Sequence, residues 1–133
     1  MYKELQPLTK LLDKHFNLNP SRTKCMAEMV SCMIKLQTIN MADICQAMSS
    51  DCQADSSYRR LQRFIGEELL PQKSLAELTC AIKGLDKKEK WKLTMDRTNW
   101  KLGKIHINIL YLGVCCNNIA IPLFFFFRRQ EAG

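Results

Sequence analysis

The hydrophobic period of this chain changes once, at the charged stretch Lys87-Lys88-Glu89-Lys90. Before it, apolar residues recur every three or four positions, the spacing that gathers side chains on one face of a helix. After it they alternate, the spacing that gathers them on one face of a strand. Such a switch restricts the chain to an α+β organisation, helices first and an antiparallel sheet after. The expected division is a helical unit over residues 1–86, a charged joint at 87–90 and strands from residue 91.

Four helices are expected in the first seventy residues. Leu5, Leu8, Leu11, Leu12 and Phe16 share a face of the first. Asn19 caps a second that begins on Pro20, where a missing backbone N–H costs nothing, and Met26, Met29, Val30 and Met33 line it. Asn40 caps a third, which buries Met41, Ile44, Ala47 and Met48. In the fourth, Ala54, Tyr58, Leu61 and Ile65 are expected inward, with Ser56, Arg59, Arg60 and Arg63 outward. Helix, short turn and arginine-bearing helix is the order of a helix-turn-helix reader of the major groove, in which arginine pairs with guanine edges or phosphates. A basic face on an ordinary bundle has the same appearance. Ser74-Leu75-Ala76-Glu77 has the form of a capping box opening a fifth helix, closed by Gly84.

Beyond the joint, Trp91, Leu93 and Met95 alternate with Lys92, Thr94 and Asp96, which predicts a strand ending at Asp96. A turn over 97–104 containing Gly103 leads to a second strand through Ile105, Ile107, Ile109 and Tyr111. Asn117-Asn118 turns the chain into a third, Ile119 to Leu123, whose Pro122 suits an edge or a strand end.

The balance of 47% hydrophobic and 25% charged residues is that of a globular chain, and a net charge of +7, from 20 basic against 13 acidic side chains, favours a polyanionic partner. Seven cysteines include no Cys-x-x-Cys pair, so they read as small apolar packers in a reducing, cytoplasmic setting rather than as zinc ligands. The apolar run from Ile119 to Phe127 is about half of a membrane span, so no membrane partner is expected.

The string Leu93-Thr94-Met95-Asp96-Arg97-Thr98-Asn99-Trp100-Lys101, followed by Gly103-Lys104, Ile107-Asn108-Ile109-Leu110 and Ile119-Ala120-Ile121-Pro122-Leu123, resembles bacterial insertion-sequence transposases with a ribonuclease H-like core. More narrowly it is similar to the family named after insertion sequence four. Ser56-Ser57-Tyr58-Arg59-Arg60-Leu61-Gln62-Arg63-Phe64 resembles that family more loosely. The resemblance implies that the chain opens a ribonuclease H-like domain over 91–123 and that Asp96 is the first acid of an Asp-Asp-Glu triad binding two Mg2+ or Mn2+ ions. It also implies double-stranded DNA, the terminal repeats of a transposon, as partner.

Two-metal phosphodiester chemistry needs several carboxylates around the ions. After Asp96 only Glu131 remains, and residues 124–133 depart from the family pattern as an aberrant tail, read as the trace of a frameshift. The expectation is a transposase relative without catalytic activity alone. The alternative is a non-enzymatic regulator that occupies transposon ends or pairs with a full-length transposase. Arg97, Asn99 and Lys101 are candidate phosphate contacts or simply loop surface. Trp100 either stacks on a base or closes a small core. Asp96 taken alone reads as a turn former, and His15 and His106 as structural residues.

Overall fold

The computed structural model describes residues 2–48, 54–67 and 70–131. Five helices precede a three-stranded antiparallel sheet, the expected α+β order. Contacts divide the chain into two compact units, Met1–Leu70 and Pro71–Gly133. The break therefore falls ahead of the fifth helix and not at the charged joint of 87–90. The reason lies in α5 (Gln72–Lys83), whose Ala76 shares a buried cluster with Val114 and Leu123 of the sheet. The joint itself is a turn inside the second unit. Asp86 closes it, its carboxylate accepting from the Lys88 N–H at 2.9 Å and its carbonyl from the Trp91 indole N–H at 2.9 Å. The charges stay in water without separating anything.

In the first unit, α1 (Tyr2–His15) buries Leu5 and Leu12, with Phe16 just beyond its end. α2 (Pro20–Leu36) starts as its sequence requires: the Asn19 side chain accepts from the Arg22 N–H at 3.0 Å and Pro20 opens the helix. α3 (Met41–Ala47) is capped in the same way by Asn40, which accepts from the Ala42 N–H at 3.0 Å. It buries Ile44, Cys45 and, after its end, Met48, whereas Ala47 is exposed. The expected turn over 49–53 lies outside the described residues.

α4 (Ala54–Glu67) packs with α3 against α2. Its inward face is Ser57, Leu61 and Phe64; Tyr58 and Ile65, expected inside, are 38% and 55% exposed. The helix is rotated by about one position because Phe64 is the larger apolar group and Arg60 has a buried partner.

In the second unit α5 begins two residues before the expected capping box, at a Pro71 N-cap without a side-chain bond, and ends on Gly84 in the left-handed region at φ 64°. β1 (Leu93–Leu102), β2 (Ile105–Cys116) and β3 (Ile119–Glu131) form a meander in the order β1-β2-β3. Residues 97–102 are strand, not loop. Gly103, at φ 60°, allows a two-residue reversal at Gly103-Lys104, so Leu102 pairs directly with Ile105. Asn117 and Asn118 both have positive φ, 50° and 63°, and make the second tight turn.

The supposed tail is also strand: Phe124, Phe125, Phe126 and Phe127 pair with Leu112, Tyr111, Leu110 and Ile109. Aromatic residues opposite β-branched and leucine partners favour pairing, whatever the chain's ancestry. A bulge between Leu112 and Gly113 accommodates Pro122 on this edge strand. Gly113 suits this position, since a Cβ would stand 3.0 Å from the Ile121 carbonyl oxygen, a tight contact. No helix among the described residues is long and apolar enough to cross a membrane.

Candidate nucleic-acid interface

Antiparallel register assigns every strand residue to a face, because directly paired residues point the same way. One face carries Met95, Arg97, Asn99 and Lys101 of β1, Leu112, Leu110, Asn108 and His106 of β2, and Phe124, Phe126, Arg128 and Gln130 of β3. The other carries Asp96, Trp100, Tyr111, Phe125, Phe127, Arg129 and Glu131. Ring contacts between Tyr111 and Phe125 and between Phe125 and Phe127 follow this division.

The first face grades from apolar to basic along the strands. At one end Val114 and Leu123 lie under α5. In the middle Met95, Leu110, Leu112, Phe124 and Phe126 surround a shallow depression of about 250 Å³, which Phe125 also borders. At the hairpin end the cross-strand rows are Asn99, Asn108, Arg128 and Lys101, His106, Gln130. Arg97 joins them through its guanidinium, which donates to the Asn108 side-chain oxygen at 2.9 Å and to that of Asn99 at 3.3 Å. These bonds hold a long, flexible cation flat on the sheet. No Asp or Glu stands on this face of the three strands. Arginine, lysine and side-chain amides without a competing carboxylate can donate to phosphate oxygens.

Of the expected contacts, Arg97, Asn99 and Lys101 are thus brought together and exposed. His106, Asn108, Arg128 and Gln130 complete the patch and were missed. Arg128 and Gln130 sat in the supposed tail, and the strand alternation through residues 97–102 would have exposed the pairing.

The helical candidates divide. Ser56, Arg59 and Arg63 lie on the exposed face of α4, and Arg63 Nε–H points back to the Arg59 carbonyl at 3.5 Å. Arg60 does not belong with them. It is half-buried and donates at 3.0 Å to Glu28, a carboxylate 3% exposed on α2, so it neutralises a buried charge. A second acid, Glu67, holds Arg22 at 2.8 Å beside a cavity of about 340 Å³ lined also by Asn19, Ser21 and Arg63. Acids accompany Arg22 and Arg60 of this unit. Residues 1–70 carry nine Lys and Arg against eight Asp and Glu, whereas residues 71–133 carry eleven against five. Nearly all the excess positive charge belongs to the unit with the sheet.

Asp96 is exposed in the body of β1, not at its end, on the face opposite the basic rows. Its carboxylate accepts from the outward N–H of Arg97 at 2.7 Å, covering an unpaired edge amide. Glu131 shares that face but sits in the row of Leu102 and Ile105, six residues along the strands from the row of Asp96. At a rise of about 3.3 Å per residue the two are on the order of 20 Å apart. Two divalent ions about 4 Å apart need shared carboxylates, and no group of three His, Cys, Asp or Glu able to hold a metal occurs among the described residues. The residues present do not fit a two-metal centre. Trp100 is 57% exposed and closes no core.

No protein-family model, no curated protein and no solved structure matches this chain.

Proposed function

We propose that the chain is a DNA-binding relative of the Asp-Asp-Glu transposases that grips the sugar-phosphate backbone through its sheet and does not cut or join strands by itself. The observation that carries this is the acid-free basic patch of Arg97, Lys101 and Arg128, set among Asn99, Asn108 and Gln130. Ser56, Arg59 and Arg63, exposed on α4, are the groups that would meet a duplex groove in a helix-turn-helix arrangement of α3 and α4. A meander with Asp96 on its first strand is the start that a ribonuclease H-like sheet requires, and that ancestry is part of the proposal.

The alternative is a regulatory form of this reading, in which the protein occupies transposon ends or pairs with an intact transposase and so inhibits it. The test is anisotropy of labelled duplexes bearing the element's terminal repeats, with and without Mg2+, alongside a nicking assay. Binding that weakens steeply with salt and leaves the strands intact is expected. Metal-dependent nicking by the pure chain contradicts the non-enzymatic part, and no binding at low salt contradicts the whole.

A further inference from the structure

We infer that the basic face of the sheet selects nucleic acid with unpaired bases, holding phosphates on Arg97, Lys101 and Arg128 and stacking a base on Phe126. This rests on the reading that the same face binds nucleic acid. Phe126 is 67% exposed, so most of its ring stays in water although its strand position is paired with Leu110. It stands in the cross-strand row of Leu110 and Arg97, and its neighbour along β3 on that face is Arg128.

Same-face residues two apart on a strand are separated by about 6.6 Å, and neighbouring strands by about 4.8 Å. An extended polynucleotide can therefore keep its charged backbone on the hairpin-end rows while a base reaches the ring. Phe124 and Met95 continue the apolar surface beyond it and border the depression of about 250 Å³. A duplex cannot use that surface, because its base faces are already stacked on one another. Unpaired bases can, and every base presents a π-face, so the site is tolerant of sequence. The charge of the face decides the occupant: the three strands put Arg97, Lys101 and Arg128 on it and no carboxylate, which suits a polyanion and disfavours a second copy of the same face.

The test uses the full chain and anisotropy of three labelled probes of equal length: oligothymidylate, an abasic strand with the same backbone, and a duplex. Oligothymidylate is expected to bind roughly fivefold or more tightly than the abasic strand. Phe126→Leu, which keeps an apolar residue in the strand, is expected to remove most of that difference and leave the duplex unaffected, with circular dichroism confirming the fold. The abasic comparison needs no variant and stands if Phe126→Leu does not fold. Equal binding of oligothymidylate and abasic strand overturns base stacking while leaving DNA binding intact. Binding of none of the probes overturns both, as does capture by anionic lipid vesicles that nucleic acid does not compete away.

Discussion

Glu28 is the residue on which the helical unit turns. It lies 3% exposed on α2, with Arg60 of α4 at 3.0 Å and Lys24 at 3.8 Å. A buried carboxylate is tolerable only while its partner stays. Arg60→Ala should therefore destabilise the unit by about 2–3 kcal/mol, somewhat below a fully buried pair because Arg60 still touches water. Arg59→Ala, on the exposed face, should change stability by less than about 0.5 kcal/mol. Urea unfolding of the two variants checks the contrast, and equal losses would place Arg60 on the surface after all. The buried thiols give a second expectation. Burial pushes Cys25, Cys32 and Cys45 above their ordinary value of 9.0. The folded state thus holds these protons more tightly than the unfolded chain. Their contribution is fully present below the unfolded pKa and is lost as pH rises through about 9 towards the folded values. The urea midpoint should fall above about pH 9, and replacing the three by alanine should flatten that fall.

At the scale of elements, what the sequence discloses depends on whether the deciding partner is near in the chain. Asn19, Asn40, Gly84 and the Asn117-Asn118 turn act within a few residues, and each is legible from local spacing. The inward face of α4 is not, because Glu28 stands 32 residues away from Arg60 and inverts the usual place of an arginine. The length of β1 is legible only in part: Thr98, Trp100 and Leu102 alternate with Arg97, Asn99 and Lys101, yet the chemistry of the polar side misleads. Arg97, Asn99 and Lys101 look like loop until β2 and β3 supply polar partners in the same rows. Edge protection is equally remote. The Gln72 side chain donates to the Phe125 carbonyl at 2.7 Å and accepts from the Phe125 N–H at 2.9 Å, acting on the edge of β3 as a neighbouring strand would. Gln72→Leu should cost about 1–2 kcal/mol and bare that edge. Sedimentation is expected to reveal more self-association, and an unchanged monomer fraction would mean that the amide is no guard.

For the whole molecule, the distribution of charge matters more than its total. A net +7 invites assignment to the arginine-bearing helix, yet acids nearly balance the helical unit and the excess lies with the second unit, half of it within residues 93–131, where five basic residues face two acidic ones. Polyanion attraction should follow that excess. The most direct measurement is the salt dependence of duplex affinity for the full chain, for Arg97→Gln with Arg128→Gln, and for Arg59→Gln with Arg63→Gln. If the sheet face carries the phosphate contacts, its double variant loses roughly tenfold or more in affinity at low salt. The slope of log affinity against log salt then falls by about 2, from two lost phosphate contacts, and the α4 variant loses less. The same affinity and slope in the Arg97→Gln, Arg128→Gln protein as in the wild type would contradict the account.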